Sequence, residues 1–217
     1  MMMYVTLATV LLVCSIAVSE NTKSLAYRFA TIYNVRAEDI KNNSMSVKIY
    51  TTRSVDTIFV QYSEDQWLYE LRRQIKIGQK SRAGPYVIKM MDLKASSKYN
   101  FQFRLSELDE WSKVFTYVTL PNVPHVIFSG LSNGALKIEW DSATPDAIEK
   151  HQLSYNKVRQ TDGNWVKDDC AVTIEIPKCS GSSFTITPLH KDFYYEIFLS
   201  AHTSAGYGEY YYFKVHA

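Results

Sequence analysis

Apolar and polar residues alternate along much of the chain. Val47, Ile49 and Thr51 form one side of such a run, and similar runs occur at Ile58–Tyr62 and Leu136–Trp140. Short runs of period two, interrupted roughly every ten residues by turn residues, are typical of antiparallel β-sandwiches. The sequence contains no long stretch with the periodicity of an amphipathic helix. The pattern therefore predicts an all-β fold.

The pattern occurs twice. A segment that begins at Leu93 and contains Tyr99 recurs with Leu189 and Tyr195 at the same places, an offset of 96 residues (189 − 93). In both copies alternate apolar residues follow the Tyr, which predicts a turn leading into a buried strand. We expect each Tyr ring to be buried and its hydroxyl to be hydrogen-bonded to the backbone upstream, as in the tyrosine corner of sandwich domains.

Three tryptophans accompany these strands. Trp67 follows the run Ile58–Tyr62 in the same way that Trp165 follows His151–Tyr155, and Trp140 ends its own run. Large aromatic side chains dominate the cores of small domains. We predict that Trp67, Trp140 and Trp165 are core residues.

On these residues, both halves of the chain resemble fibronectin type III domains. The second half is the more similar: prolines at 121 and 124 open it, Trp140 lies in its strand B, and Ala201–Gly208 resembles the glycine-containing turn between strands F and G. The first half is divergent, because its strand B has no Trp and no Pro opens its strand A. The resemblance implies two tandem seven-stranded immunoglobulin-like sandwiches.

The chain of 217 residues is long enough for two such domains. Pro121 cannot donate to a sheet ladder, so the boundary is expected at Leu120–Pro121. We predict a signal peptide over residues 1–19, a first domain over 20–120 and a second over 121–217. With so short a linker, the family's geometry implies an elbow, where the BC loop (141–150) and FG loop (202–209) of the second domain lie near the first domain.

The N-terminal segment predicts secretion. Tyr4–Val18 is almost wholly apolar, is short for a membrane span, and is followed by polar residues and a cleavage site before Glu20. The alternative is an uncleaved anchor. After cleavage we expect an extracellular protein without a membrane span, in which Asn42 of Asn42-Asn43-Ser44 is a glycosylation acceptor.

Two cysteines, Cys170 and Cys179, remain after the signal peptide is removed. An even number of cysteines in a secreted chain favours a disulfide. A straight strand between them would hold the two Cα atoms about 30 Å apart, beyond the reach of a disulfide. We therefore predict that the segment loops back, with Pro177 interrupting the run. The alternatives are two free thiols or an intermolecular pair.

The sequence offers little for catalysis. None of the five histidines pairs with another at a metal-ligand spacing, and no nucleophile elbow or phosphate-binding glycine loop occurs. We predict that the protein is not an enzyme and has neither a cofactor nor a metal site.

Charge is divided unevenly between the halves. Residues 21–120 carry 16 basic and 10 acidic side chains (+6), whereas residues 121–217 carry 8 and 11 (−3). The basic cluster after strand C predicts a site for an acidic glycan such as heparan sulfate. The alternative is that these charges protect an exposed edge strand. A nucleic-acid partner is not expected for a secreted chain. The members of the cluster are Arg72, Arg73, Lys76, Lys80 and Arg82.

Tyrosines are concentrated near the C-terminus. Tyr207 and Tyr210 lie around the FG turn, and Tyr210 and Tyr212 fall on one face of the last strand with Tyr211 on the other. Exposed Tyr beside a loop is enriched in protein-binding sites. We predict that Tyr207 and Tyr210 bind protein, with packing on the sheet as the alternative.

Together these features predict a secreted, extracellular protein-binding module of adhesion or matrix type. One alternative is a soluble decoy that resembles a cytokine receptor and captures a cytokine or growth factor at the elbow, although the chain lacks Trp-Ser-x-Trp-Ser. A further alternative is a binder of acidic glycans through the basic cluster. The expected partner is an extracellular protein whose identity the sequence does not specify.

Overall fold

A computed structural model describes residues 31–64, 83–141, 146–168 and 170–217, and for residues 71–76 the backbone. The predicted signal peptide, Trp67, Lys80 and Arg82 lie outside these ranges. The described residues form antiparallel strands and one short 3-10 turn, Lys178–Ser180. None of their helices is long and apolar enough to cross a membrane.

Seven strands form the first sandwich. Strands β1, β2 and β5 make one sheet, and β4, β3, β6 and β7 make the other, in that order. The seven are β1 (Ile32–Glu38), β2 (Met45–Thr51), β3 (Thr57–Glu64), β4 (Leu71–Lys76), β5 (Tyr86–Met90), β6 (Lys98–Arg104) and β7 (Phe115–Val118).

The core of the first sandwich lies between these two sheets. Val47, Ile49 and Thr51 of β2 are buried while the residues between them are partly exposed, as the alternation predicts. From the opposite sheet, Phe101 and Phe103 are fully buried and stacked at 6.3 Å between ring centroids. One continuous apolar cluster therefore joins the sheets.

The second sandwich repeats this plan with additions. Strands β13, β9 and β8 make one sheet, and the other is centred on β10 and β14. Its strands are β8 (Val126–Ser132), β9 (Ala135–Trp140), β10 (Lys150–Thr161), β11 (Asn164–Lys167), β12 (Val172–Pro177), β13 (Ser183–Ile186), β14 (Tyr194–Thr203), β15 (Gly206–Tyr207) and β16 (Tyr211–His216). The predicted all-β fold of two tandem sandwiches is confirmed.

The prediction of a looped segment between Cys170 and Cys179 is wrong. The residues between them form the straight strand β12, which pairs with residues 150–155 of β10. At ~3.3 Å per residue β12 alone spans roughly 17 Å, well over the ~7 Å that a disulfide tolerates between Cα atoms. Both cysteines are free and exposed. Pairing along the long strand β10 keeps the segment extended, and Pro177 ends the strand instead of folding it back.

The three predicted core tryptophans have different surroundings. Trp140 of β9 is 1% exposed and lies in the second core, whereas Trp165 of β11 is 43% exposed. The prediction for Trp165 is wrong. Trp165 pairs with Gln160 beyond the part of β10 that covers the core, and its ring packs against Tyr194 on the outside of the sheet.

Both repeated tyrosines bond to the backbone upstream. Tyr99 Oη accepts a hydrogen bond from the Lys94 backbone N–H at 2.8 Å, and Tyr195 Oη accepts one from His190 at 2.9 Å. Both rings are buried, and Leu93 and Leu189 are buried beside them. Each hydroxyl therefore fixes the turn that precedes its strand.

We expect Tyr195→Phe to destabilise the second sandwich by about 1–2 kcal/mol, because a partly buried N–H loses its acceptor while the ring stays in place. Tyr99→Phe, which removes the equivalent bond, should lower the stability of the first sandwich by a similar amount. Urea unfolding followed by near-UV circular dichroism measures both. Unchanged transition midpoints in both variants would show that these bonds are not stabilising.

Candidate functional site: the elbow between the sandwiches

The connection between the sandwiches is fixed to the first one. Thr119 is fully buried, and its N–H donates to the Ser97 carbonyl at 3.0 Å. Leu120 N–H donates to the Lys41 carbonyl, and the Leu120 carbonyl accepts from Ser96 N–H, each at 3.1 Å. These bonds continue the pairing of β7 beyond its last strand residue, so the connection leaves the first sandwich in one direction.

The FG turn of the second sandwich rests on this connection. Thr203 Oγ1 donates a buried hydrogen bond to the Thr119 carbonyl at 3.1 Å. A Cβ atom on Gly208 would lie 2.4 Å from the Pro121 carbonyl oxygen, so only glycine allows this approach without a shift of the backbone. On the other side, Asn42 donates to the Asn122 side chain at 2.9 Å. The predicted contact of the FG loop with the first sandwich is confirmed.

An open groove of about 560 Å³ follows the elbow. The Glu149 N–H donates to the His202 carbonyl at 2.9 Å, which joins the BC and FG loops on its second-sandwich side. Ser97 Oγ donates to Glu64 Oε1 at 3.1 Å on the first-sandwich side. Both sandwiches supply mainly small or polar lining residues: Glu64, Ser96, Ser97, Lys98, Val118, Asp146, Ala147, Glu149 and Ser204.

Tyr207 is connected to this groove through His202, whose Nδ1 lies 3.2 Å from Oε2 of the lining residue Glu149. The Tyr207 hydroxyl donates to Glu175 Oε1 at 2.9 Å, and its ring packs edge-on against His202 at 4.5 Å. Lys150 Nζ lies 2.6 Å from the same Glu175 oxygen and 5.7 Å from the Tyr207 ring centroid. The hydrogen bond to Glu175 raises the pKa of Lys150, and the bond from Lys150 lowers the pKa of Glu175. Both side chains are therefore charged at neutral pH, and they hold Tyr207 in place while it remains 38% exposed.

A buried histidine lies beneath the elbow. His151 is 3% exposed, and its ring centroid lies 5.1 Å from that of Trp140. Both residues line a cavity of about 270 Å³ that extends to Ala95 of the first sandwich and Pro124 of the connection. Burial lowers the pKa of His151, so the imidazole is neutral at physiological pH. Its surroundings are those of a core residue.

The remaining predicted residues lie elsewhere. Tyr210 is 59% exposed and lies beyond the FG turn, against Phe198. Asn42 is exposed at the elbow. Arg72, Arg73 and Lys76 lie on β4, at the edge of its sheet. In the part of the chain that the structure describes, no group of three or more His, Cys, Asp or Glu side chains is placed to hold a metal.

Sequence reasoning missed several residues of the elbow. Thr203, Asn122 and Glu175 each bond to a partner at least 25 positions away along the chain. Thr203 could have been suspected, because it is a polar residue at an inward position of β14. No feature of the neighbouring sequence indicates that Asn122 or Glu175 belongs to the elbow.

No protein family model matches this chain, and no curated protein matches its sequence. Among solved structures, a segment of two fibronectin type III domains from chicken tenascin aligns over 86% of this chain and 99% of its own length, at 12% identity and a TM-score of 0.47. The FN1–FN3 domains of chicken CNTN1 align over 85% of this chain and 66% of their own length, at 16% identity and a TM-score of 0.41. Both of these solved structures consist of consecutive fibronectin type III domains.

Proposed function

We propose that this protein is a secreted, non-enzymatic module that binds an extracellular protein at the elbow between its two domains. In this proposal a signal peptide (1–19) precedes the domains 20–120 and 121–217. The observation that carries the proposal is the open groove, to which both sandwiches contribute and to which His202 connects Tyr207, itself held by Glu175 and Lys150.

The groove suits a protein ligand. Its serine hydroxyls and carboxylates offer hydrogen-bond partners to a peptide backbone or to polar side chains, as in the polar rim of protein interfaces. Tyr207 adds an aromatic anchor, a residue type that carries much binding energy at such interfaces. Because its position is fixed before binding, little side-chain entropy is lost when a ligand covers it.

Two kinds of protein ligand fit this site. An adhesion or matrix protein would hold the module at a cell surface or in a matrix, whereas a decoy would capture a soluble cytokine or growth factor. Incubating the tagged mature protein with conditioned medium and, separately, with decellularised matrix distinguishes them. Mass spectrometry of the bound fraction should identify the main ligand in only one of these sources.

We expect Tyr207→Ala to weaken binding of that ligand by about 30-fold or more, as for a central aromatic anchor. Because the side chain is partly exposed, the stability of the fold should change by less than about 1 kcal/mol. Tyr33→Ala is the matched control, since Tyr33 is 65% exposed on the first sandwich, away from the groove. Surface plasmon resonance of the three proteins gives the comparison, and equal affinities would refute binding at the elbow.

The competing hypothesis is an acidic glycan bound by the basic cluster that includes Arg72 and Arg73. It predicts that Arg72→Ala with Arg73→Ala abolishes retention on heparin resin and that Tyr207→Ala has no effect. Glycan binding should also weaken steeply with salt, because exposed charges are screened. Measuring both variants at two salt concentrations separates the hypotheses.

A further inference from the structure

A loop of six residues, 39–44, joins β1 to β2 and carries Asn42, the acceptor of the chain's one Asn-x-Ser/Thr sequence. In the second sandwich only residues 133–134 join the corresponding strands β8 and β9. The first sandwich thus has a longer loop at this place than the fold requires. Asn42 is exposed, as the acceptor of a bulky glycan must be.

Backbone hydrogen bonds hold Asn42 in position from both sides. The Lys41 carbonyl accepts a bond from the Leu120 N–H at 3.1 Å, and the Asn43 carbonyl accepts one from the Leu93 N–H at 2.9 Å. The residues that flank Asn42 are thus tied to the connection on one side and to the turn before β6 on the other. The loop therefore lies against the elbow, and Asn42 has a fixed place there.

The Asn42 side chain reaches across the elbow. Its Nδ2 donates to Asn122 Oδ1 at 2.9 Å, and Nδ2 is the atom to which an N-linked sugar is attached. Glycan transfer forms a bond from Nδ2 to C1 of the first N-acetylglucosamine, breaks the bond from C1 to a lipid-linked pyrophosphate, and releases one amide proton. One N–H remains on Nδ2. An attached sugar therefore begins beside residues 122–125, which lead into the second sandwich.

The surface that such a sugar meets suits a carbohydrate. Asn122 lines the elbow cavity, the cavity of about 270 Å³ beneath the elbow, and its neighbours Val123 and His125 are exposed lining residues as well. The amide of Asn122 and the imidazole of His125 offer hydrogen-bond donors and acceptors to the hydroxyl and acetamide groups of a sugar. Val123, which is 41% exposed, offers apolar surface to the methyl group of the acetamide.

The two sandwiches are loosely packed against each other at the elbow. The elbow cavity and the groove of about 560 Å³ both receive lining residues from the first sandwich and from the second. Domains whose interface is neither large nor hydrophobic change their relative orientation. A further contact across the elbow therefore narrows the range of angles between the sandwiches.

We propose that Asn42 carries an N-linked glycan whose first N-acetylglucosamine packs on residues 122–125 at the elbow cavity and restricts the angle between the sandwiches. The proposal rests on the proposed function, because glycan transfer takes place in the secretory pathway. A free sugar binds such a surface weakly, but attachment to Asn42 makes the contact intramolecular and gives the sugar a high effective concentration. The groove is lined by other residues, so the glycan leaves it open to a protein ligand.

Amide hydrogen exchange of the full chain tests the contact. The chain is secreted from a eukaryotic host that adds high-mannose glycans, and peptide mass spectrometry should find Asn42 glycosylated. Trimming with an endoglycosidase, which leaves one N-acetylglucosamine, should not change the exchange rates of residues 119–125. Peptide N-glycosidase, which removes the whole glycan from the folded protein and converts the Asn42 amide to a carboxylate, should raise these rates by about 3-fold or more.

Ser44→Ala prevents glycan transfer but keeps the Asn42 amide, and it should raise the exchange rates of residues 119–125 to the same extent. Because the two sugar-free proteins differ at Asn42, agreement between them assigns the effect to the missing sugar. Ser44 is buried, so Ser44→Thr, which keeps the acceptor sequence, controls for disturbance of the loop and should exchange as the parent does. Small-angle X-ray scattering should show a wider range of angles between the sandwiches for both sugar-free proteins.

Moving the glycan separates a contact at the elbow from a general effect of glycosylation. Glu110→Asn places an acceptor sequence ahead of Ser112, beside Thr31 at the opposite end of β1 from the loop 39–44. Added to Ser44→Ala, it should leave exchange at residues 119–125 fast. Slow exchange in that protein, secreted protein with an unmodified Asn42, or trimmed and sugar-free proteins that exchange alike would overturn the proposal. No ligand enters these measurements, so a failure to bind at the elbow does not affect them, whereas a chain that is not secreted would refute the proposed function as well.

Discussion

Replacing Trp140 with Ala should destabilise the second sandwich by about 3–5 kcal/mol, the range for removing a large aromatic side chain from a packed core. Among the residues that the structure describes, Trp140 is the largest fully buried side chain, and it is 1% exposed. It lies on β9 between two sheets that share the second core, and its ring packs on His151. Neighbouring side chains cannot fill a space of that size, so the loss includes a cavity as well as the lost burial.

Trp165→Ala is the matched control, because it deletes the same side chain from an exposed position on β11. We expect it to cost about 1 kcal/mol or less, since its ring remains in contact with water on the outside of the sheet. Chemical unfolding of the full chain, followed by fluorescence and circular dichroism, gives both values. Similar losses for the two variants would contradict the assignment of Trp165 to the outer surface.

These two tryptophans show when an alternating sequence pattern predicts the burial of a side chain correctly and when it does not. Trp140 ends an alternating run, and alternation fixes which side of a strand faces the core once one sheet covers it. Trp165 follows a run in the same way but lies past the end of the covered region. Its exposure depends on how far β10 extends beyond the opposite sheet, which no local pattern encodes.

The segment between the cysteines fails for a related reason. Its alternating residues, Val172–Ile176, are compatible with a straight strand or with a loop at Pro177. The conformation of the segment is determined by β10, whose twelve residues are long enough to pair with both β11 and β12. The distance between Cys170 and Cys179 is therefore set by strand pairing within the sheet. The number of cysteines and the expected compartment do not determine this distance.

The elbow was predictable only in outline. The short connection at Leu120–Pro121 indicates that the two sandwiches lie close together, and the repeat indicates which loops meet. The groove additionally depends on contacts between residues that are far apart in the sequence, such as Thr203 with Thr119. On the outer surface of the second sandwich, the alternation with Tyr211 places Tyr210 and Tyr212 on one face, but Trp165 and Tyr194 come together only through the pairing of β10 with β11 and β14.

Gly208→Ala should disrupt the elbow and destabilise the protein by about 2–3 kcal/mol, as expected when an atom is forced into a filled space. The added Cβ would lie 2.4 Å from the Pro121 carbonyl oxygen and 3.0 Å from Pro121 Cγ. Because the nearest obstacle is backbone, no side-chain rotation relieves the clash, and the FG turn must move off the connection. That movement breaks the bond from Thr203 to Thr119 and changes the groove to which Tyr207 is connected.

Gly163→Ala provides the matched glycine. A Cβ added at Gly163 would meet no atom within 4 Å, but the residue has a φ of +79°, which is unfavourable for alanine. We therefore expect this substitution to lower the stability of the fold by about 1–2 kcal/mol through backbone strain, in a hairpin far from the elbow. Small-angle X-ray scattering should show a changed angle or a wider range of angles between the sandwiches for Gly208→Ala and none for Gly163→Ala. Affinity for the elbow ligand should fall only for Gly208→Ala. If Gly208→Ala leaves both scattering and affinity unchanged, the two sandwiches are not held together by the contact of the FG turn with Pro121, and the groove is not a preformed site.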